Sequence, residues 1–224
     1  MAAGAPPVVL AALSDRALLI SDDGAASWRT QSTEFNNVAI IALAVSPAYK
    51  HDRTIFVATT SANEVVVWRS TSGGQRWHEW LVEPGPSDTL ALALSPTYDA
   101  DELVCVGLGG RVLKLLPHAR EVRSGKRRPV WRSTTLGEGA LAVTALAISP
   151  VLAEDKTLFA ATNAGVFVSR DRGDTYALWS EGLNPVRTVA LATSPSFAAD
   201  RLVFALGLGG TVWRRRDQLE HRGL

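Results

Sequence analysis

Carboxylates are the first candidates for chemistry in this chain, because two of them at a set separation could hydrolyse a glycosidic bond. Most of the acids recur at fixed places in a repeat or in turns, where structural roles are expected. Four do not, namely Glu64, Glu79, Glu83 and Glu138. Nothing in the sequence pairs these four, so we interpret them as solvated surface residues and expect no catalytic site.

Histidine and cysteine could bind a metal or act as nucleophiles, but neither has the required pattern. The histidines lie without ligand spacing at His51, His78, His118 and His221. Cys105 is the single cysteine and lies inside an apolar run, where a small buried side chain is expected. We therefore expect no metal site, no cofactor and no internal disulfide framework.

The composition is that of an ordinary soluble globular protein. The chain has 224 residues, 46% hydrophobic and 20% charged, with a formal net charge of +1. No apolar run approaches the roughly 18 residues of a membrane-spanning helix. The start, MAAGAPPVVLAAL, lacks the positive region of a signal peptide, so a cytoplasmic location is expected. Four lysines among 23 basic residues suggest a GC-rich bacterial source.

A repeat organises the chain. Ser-Pro pairs recur at spacings of 49, 54 and 45 residues, and an Asp follows each serine by six residues. Apolar runs of strand length lie before each serine and after each Asp. Proline is therefore expected to end a first strand, and Asp to make the turn into a second. The pairs are Ser46 and Asp52, Ser95 and Asp101, Ser149 and Asp155, and Ser194 and Asp200.

A third and a fourth strand complete each repeat. The third follows a small-residue turn, such as Gly107–Gly110 or Gly207–Gly210, and the fourth is aromatic, as in RWHEWL at 76–81. Four strands in about 45–50 residues are typical of a propeller blade. We predict an all-β protein, a single β-propeller domain over 1–224 without a helix of useful length. The blade segments are placed at 8–34, 38–82, 88–136, 142–182 and 187–216.

The turn between the third and fourth strands resembles the Asp-box pattern Ser-x-Asp-x-Gly-x-Thr-Trp. On these turns, the chain resembles Asp-box (BNR-type) β-propeller repeats along essentially its whole length. In this family the Asp caps the turn and the aromatic residue packs between sheets, so the resemblance implies structural roles and burial of Trp28 and Trp77. The matching residues are Asp23 with Trp28, Ser72 with Trp77, and Asp171 with Tyr176.

The same architecture hosts sialidases, which need an arginine triad and a tyrosine nucleophile with a glutamate partner. Tyr49 and Tyr98 lie three residues after a repeat serine, where Phe197 occupies the same place. Tyr176 is the aromatic residue of an Asp-box. All three tyrosines have structural explanations, so a sialidase-like or other divergent glycoside hydrolase is the least favoured function.

Three blades are complete and the two end blades are partial. Residues 8–32 supply a second, third and fourth strand, and the last segment supplies its first three strands. Five blades, with incomplete terminal blades, are the simplest count for a monomer. Completion by another chain, or self-association through open blade edges, is the alternative, because open edges invite pairing.

Positive charge is concentrated in the second half of the chain. Residues 1–102 hold 6 Lys/Arg against 12 Asp/Glu, a net −6, and residues 103–224 hold 17 against 10, a net +7. The stretch HAREVRSGKRRPVW at 118–131 replaces and lengthens the compact turn of other repeats, and a second cluster follows Trp213. The candidate partner-binding residues are Arg120, Arg123, Lys126, Arg127, Arg128, Arg132, Arg214, Arg215 and Arg216.

Two interpretations of the basic loop at 120–132 stay open. It is a solvated loop, or it is a docking element for an acidic protein surface or, with less support, for nucleic acid. We predict a non-catalytic propeller that serves as a protein-interaction or assembly subunit of a larger complex. The alternative is a glycan- or small-ligand-binding, lectin-like propeller, with Trp68, Trp80 or Trp213 in pockets between blades.

Overall fold

Five antiparallel sheets make up the part of the chain that the structure describes. The structure is a computed structural model, and it describes residues 7–13, 18–31, 35, 38–85, 87, 89–123, 126–138, 141–179 and 187–217. In each sheet, strands that are consecutive in the chain are neighbours, as in a propeller blade. The predicted all-β fold of propeller blades is confirmed, with three four-stranded sheets between two three-stranded ones.

Among the described residues, the strands and four one-turn helices follow the order of the repeat. The first sheet contains β1 (Val9–Ala12), β2 (Leu18–Ser21) and β3 (Arg29–Gln31). The second contains β4 (Ala39–Val45), α1 (Tyr49–Asp52), β5 (Ile55–Thr60), β6 (Glu64–Ser70) and β7 (His78–Pro84). The third contains β8 (Leu90–Leu94), α2 (Tyr98–Asp101), β9 (Val104–Leu108), β10 (Arg111–Arg123) and β11 (Lys126–Thr135).

The fourth and fifth sheets repeat this order. The fourth contains β12 (Val143–Ile148), α3 (Leu152–Asp155), β13 (Leu158–Thr162), β14 (Gly165–Ser169) and the short β15 (Ala177–Leu178). The fifth contains β16 (Thr188–Thr193), α4 (Phe197–Asp200), β17 (Leu202–Gly207) and β18 (Val212–Arg216). No helix among the described residues is long and apolar enough to span a membrane.

The chain divides into two compact units. The first comprises Met1–Asp88, Thr97–Ala100 and His118–Pro129. The second comprises Thr89–Pro96, Asp101–Pro117 and Val130–Leu224. The single domain over 1–224 stays a prediction.

One hydrogen-bonded corner joins the first two strands of four sheets, and we call it the Ser–Asp corner. The repeat serine donates to the Asp six residues later at O···O distances of 2.5–2.8 Å. The same carboxylate accepts the backbone N–H two residues further on, which confirms the predicted turn role of Asp. The residue after each Asp has a left-handed backbone, with φ of 48–54°.

Each Ser–Asp corner encloses a one-turn helix whose first residue is buried. These four side chains are at most 2% exposed, and they are Tyr49, Tyr98, Leu152 and Phe197. Leucine and phenylalanine occupy the tyrosine position in two of the corners. The position therefore requires a large apolar body, and packing accounts for both tyrosines.

Apolar side chains from neighbouring sheets form a core within each unit. In the first unit, the ring of Phe35 packs edge-on against Trp77, with the centroids 5.0 Å apart. In the second unit, the ring of Phe159 packs against Trp179 and against Phe197. The second unit also buries Cys105 completely, and burial raises the pKa of its thiol to about 12. Cys105 is therefore an uncharged core residue at neutral pH, as expected from its position in an apolar run.

The two Gly-Leu-Gly-Gly segments are turns only in part. Gly107 and Leu108 still belong to β9, and the turn is made at Gly109, whose φ is 55°. A Cβ at Gly107 would approach Cγ1 of Val143 in β12 to 2.3 Å, so this glycine allows the neighbouring sheet to approach closely. The prediction of a turn over Gly107–Gly110 is therefore wrong at its start. Gly207 likewise ends β17.

In the second unit, arginines of one sheet bind buried carboxylates of a neighbouring sheet. Arg201 donates to Asp155 at 2.6 Å. The Asp of one Ser–Asp corner therefore binds the arginine that directly follows the Asp of the next Ser–Asp corner. Arg170 binds Asp217 through two hydrogen bonds of 3.0 and 2.5 Å, and the side chain of Asp217 is fully buried. Such charge-assisted contacts add to the packing between blades.

We expect Asp155→Asn to lower the free energy of unfolding by about 2–3 kcal/mol, because it neutralises a carboxylate that is 3% exposed and leaves Arg201 without its partner. Asp52→Asn is the matched control. Asp52 makes the same Ser–Asp corner but has no ion pair among the described residues, so its loss should be only about 1 kcal/mol. Urea unfolding followed by tryptophan fluorescence measures both. Equal losses would contradict a role for the ion pair.

Candidate functional site

The basic segment predicted as a loop is a two-stranded ribbon. β10 pairs with β9 over Arg111–Lys114 and then continues beside β11 to Arg123. The loop prediction is wrong because the added residues lengthen both strands of a hairpin, and their pairing satisfies backbone groups that a loop would leave to solvent. We call His118–Arg123 with Lys126–Pro129 the basic ribbon. All of it belongs to the first unit.

Two arginines lie over the indole ring of Trp80 in β7. The guanidinium carbon of Arg69 is 4.6 Å from the ring centroid, and that of Arg120 in the basic ribbon is 5.4 Å from it. Cations are attracted to the negative face of an aromatic ring. Arg69 also lies 6.0 Å from the ring of Tyr98. We call Arg69, Trp80 and Arg120 the Arg–Trp cluster.

The positive charge of the Arg–Trp cluster is not neutralised within the part of the chain that the structure describes. Arg120 donates to the backbone oxygen of Ala119, and neither arginine has a carboxylate partner among those residues. Nε of Arg69 is buried and has no hydrogen-bond partner there. Two guanidinium groups on one ring therefore form a centre that favours an anion, and a carboxylate suits their planar donors.

Arg128 fixes the basic ribbon to β7. Its guanidinium donates to the carboxylate of Glu79 at 2.5 Å and to the backbone oxygen of Glu79 at 3.3 Å. This pair holds the ribbon beside Trp80, so Arg128 is already occupied by the fold. Glu79, expected to be a solvated surface residue, is instead the acceptor of this contact.

The other basic candidates divide into occupied and exposed side chains. Arg132, together with Lys114, binds Asp174, and the hydrogen bond from Lys114 is the main cause that lowers the pKa of that carboxyl group. Arg215 lies over the ring of Trp179 at 4.6 Å and donates to its backbone oxygen. Arg214 and Arg216 are exposed on β18. The side chains of Arg123, Lys126 and Arg127 lie outside the described part of the structure.

The acidic turn residues are acceptors of local hydrogen bonds. Asp23 accepts from Ser27, through its hydroxyl at 2.5 Å and its N–H at 2.9 Å, and from Ser21 at 2.7 Å. The hydroxyl of Ser27 is the main cause that lowers the pKa of Asp23 to about 2. Burial alone would raise the pKa of Asp171, but hydrogen bonds from Thr175 and Ser169 outweigh it and lower that pKa. Both groups are ionised at neutral pH and lack the raised pKa of a general acid.

The third turn of this type has Ser72 in the Asp position, and this serine makes some of the hydrogen bonds that Asp makes in the other two turns. The hydroxyl of Ser72 accepts the N–H of Arg76 at 2.9 Å and lies 3.2 Å from the hydroxyl of Ser70. Trp77, which follows this turn, is 7% exposed. A hydroxyl can therefore replace the carboxylate as acceptor in this turn.

The aromatic residues of the other two turns differ from Trp77. Trp28 is 41% exposed, so its expected burial is wrong, since no aromatic ring among the described residues packs against it as Phe35 packs against Trp77. Burial raises the pKa of Tyr176, whose buried hydroxyl has no hydrogen-bond partner among the described residues.

One pocket of about 200 Å³ lies beside Trp28 on the first sheet. Asp22 and Arg29, two of its lining residues, bind each other at 2.7 Å. Trp68 donates from its indole nitrogen to Thr59 at 2.9 Å, so it faces a neighbouring strand rather than this pocket. No group of three His, Cys, Asp or Glu that could hold a metal occurs among the described residues.

The Arg–Trp cluster combines two residues that the sequence singled out with one that it did not. The sequence singled out Arg120 for its charge and Trp80 for its ring. It gave no signal for Arg69, because this arginine is 51 residues from Arg120 and meets it only through Trp80 on the paired strands β6 and β7. An unpaired cation in a strand otherwise rich in valine is the one feature that could have drawn attention to Arg69.

Comparison with known proteins gives one family. The family model described as outer membrane protein assembly factor BamB matches residues 9–218. No curated protein matches the chain.

Several solved structures share the fold at low sequence identity. A family 74 (GH74) xyloglucanase from Xanthomonas campestris is 18% identical, with a TM-score of 0.64 over 94% of this chain and 35% of that one. Virginiamycin B lyase from Staphylococcus aureus is 11% identical, with a TM-score of 0.55 over 96% of this chain and 71% of that one. YCF48 bound to D1 peptide is 16% identical, with a TM-score of 0.58 over 93% of this chain and 60% of that one. At this identity the likeness shows the propeller fold alone.

We expect Ser27→Ala to raise the pKa of Asp23 from about 2 towards its ordinary value of 3.8, because the variant loses the main hydrogen bond to the carboxylate. A lowered folded-state pKa stabilises the fold above about pH 4, and this stabilisation is lost as the pH falls towards 2. The variant should lose less stability over that interval. A ¹³C NMR titration of the carboxyl groups measures the pKa. The control Thr175→Val should move Asp171 and leave Asp23 unchanged, and a wild-type Asp23 titrating near 3.8 would contradict the hydrogen-bonding role.

Proposed function

Since the chain belongs to the family of the outer membrane protein assembly factor BamB, we propose that it is a non-catalytic propeller that works as an assembly subunit and binds an acidic surface of a partner protein. The observation that carries the proposal is the Arg–Trp cluster. Two guanidinium groups share one indole ring there without a carboxylate partner among the described residues. A carboxylate of the partner would supply the missing charge.

The geometry around the cluster suits docking by a protein. The ion pair between Arg128 and Glu79 holds the ribbon in place, so little conformational freedom is lost when a partner binds. Tryptophan and arginine are the residue types that most often anchor protein interfaces. The ribbon also lengthens β10 and β11 beyond the equivalent strands of the second and fourth sheets, and such additions can carry binding without altering the core.

A binding role without catalysis fits the state of the acidic side chains. Asp23 and Asp171 accept several hydrogen bonds within their own turns, and the Asp of each Ser–Asp corner is held by its serine. These bonds also support the resemblance of the turns to the Asp-box type. The xyloglucanase and the lyase show that enzymes share the fold, so the lack of catalysis is part of the proposal. The cytoplasmic location and the bacterial source stay predictions from the sequence.

Nucleic acid and a small ligand are the competing occupants. Phosphates would also bind the arginines of the cluster, but the chain's net charge of only +1 gives nucleic acid little long-range attraction. A small ligand could enter the pocket beside Trp28, but two of its charged lining residues, Asp22 and Arg29, already bind each other. YCF48, which shares the fold, has a structure with a bound peptide, and this favours a protein partner.

We expect Arg69→Gln/Arg120→Glu to abolish a complex that the wild-type chain forms in its own cell. The variant removes both charges of the cluster but keeps the contact between Arg128 and Glu79. Native mass spectrometry of gently isolated chain should give a particle above 24.0 kDa with a second polypeptide for the wild type and only the single chain for the variant. The complex should weaken as salt rises, because exposed charges are screened.

Lys50→Gln/Arg76→Glu is the matched control, with the same change of charge at two exposed residues of the first unit. It should keep the complex. A wild-type chain that is found alone at low salt, a variant that keeps the partner, or a bound species that is nucleic acid would each overturn the proposal.

A further inference from the structure

The fifth sheet has an open edge at β18. Its strand order is β16, β17, β18, whereas the second, third and fourth sheets have a fourth strand at the equivalent place. β18 pairs with β17 from Leu202 opposite Arg216 to Leu206 opposite Val212. No strand among the described residues pairs with its other edge.

The register shows which backbone groups of β18 point to the open edge. The N–H of Gly207 donates to the oxygen of Thr211, and the N–H of Asp217 donates to the oxygen of Arg201. In an antiparallel pair, residues that exchange hydrogen bonds alternate with residues that do not. Trp213 and Arg215 are therefore bonded to β17, and the N–H and C=O groups of Val212, Arg214 and Arg216 point to the open edge.

The same three residues expose their side chains on one face of the strand. Val212 is 65% exposed, and Arg214 and Arg216 are both exposed. Arg216 contributes to the lowered pKa of Asp200, although the hydrogen bond from Ser194 is the larger cause, and Arg214 has no acidic partner among the described residues. The open edge thus presents one apolar and two positive side chains at alternate positions.

Both ends of β18 are held in place before any partner binds. Asp217 directly follows the strand and is fixed by Arg170 and by its N–H bond to Arg201. At the other end, the turn at Gly210 is closed by its N–H bond to Gly207. Arg215 holds the opposite face against Trp179. A strand fixed in this way can accept a neighbour with little loss of freedom.

We propose that the open edge of β18 binds an extended segment of an acidic partner protein as an added antiparallel strand. Antiparallel pairing is the arrangement of the other fourth strands, and it places the partner's residues in the order acidic, any, acidic, any, apolar opposite Arg216 to Val212. A second copy of this chain is a poor occupant, because antiparallel self-pairing about Arg214 would put like charges opposite each other. The proposal rests on β18 and is independent of the Arg–Trp cluster.

The test uses two labelled peptides of the same composition with the full chain. The first, Thr-Glu-Thr-Glu-Thr-Val-Thr, has the required alternation. The second, Thr-Thr-Thr-Glu-Thr-Val-Glu, moves one glutamate from the position opposite Arg216 to the position opposite the uncharged Thr211. Fluorescence anisotropy at low salt should show binding of the first peptide and up to about fivefold weaker binding of the second, because a cross-strand charge pair is lost. Amide exchange of Val212, Arg214 and Arg216 should be fast in the free protein and slow with the first peptide.

Two variants separate the charge from the backbone contribution. Arg214→Glu/Arg216→Glu should abolish binding of the first peptide. Val212→Pro removes an outward N–H without touching the ladder to β17, so it should weaken binding about tenfold with the salt dependence unchanged. Unchanged thermal unfolding shows that either variant is folded, and Arg69→Gln/Arg120→Glu should bind the peptide as the wild type does.

Three results would overturn the proposal. These are equal binding of both peptides, full binding by Val212→Pro, and slow amide exchange of Val212, Arg214 and Arg216 in the free protein, which would show that the edge is already covered. Failure here leaves the proposed function intact, because loss of the complex in Arg69→Gln/Arg120→Glu is measured separately.

Discussion

The hydrogen bond from serine to aspartate in the Ser–Asp corner is the contact on which the arrangement of four sheets depends. It fixes the short connection between the first and second strands, and the same Asp directs the backbone N–H two residues later into the next strand. The corner buries one large side chain, such as Phe197, under a single helical turn. A polar contact thereby sets where an apolar residue enters the core. In the second unit the carboxylate of such a corner also forms an ion pair with an arginine of the next sheet, as Asp155 does with Arg201.

Arginine serves three different purposes in this chain, and the purpose depends on what lies opposite. Arg170 and Arg201 bind buried carboxylates and hold neighbouring sheets together. Arg128 and Arg215 fix an element of the surface, through Glu79 and through the ring and backbone oxygen of Trp179. Arg69, Arg120 and Arg214 have no carboxylate opposite them among the described residues. Since a guanidinium group is always charged, these last positions are where the proposed acidic partner would gain most.

Sequence reasoning located the basic residues but not their partners. Arg120 and Arg128 lie eight residues apart in one basic segment, yet one stacks on an indole ring and the other binds Glu79. The length and charge of this segment predict a loop, whereas the pairing of β10 with β11 makes it a ribbon. Trp28 shows the same limit, because its turn matches that of Trp77 while its surroundings do not. Local spacing carries no information about which side chain of another strand lies opposite.

The all-β fold, the five blades and the turn at each repeat Asp follow from the amino-acid sequence alone, because a strand, a proline and an Asx turn depend on residues within six positions of each other. The neutralised arginines, the covered indole rings and the open strand edge are visible only in the folded chain. These properties depend on contacts between residues that are far apart in the chain, such as Arg69 and Arg120 on Trp80. Charge and burial at those positions follow from the packing of whole sheets, and no short pattern specifies them.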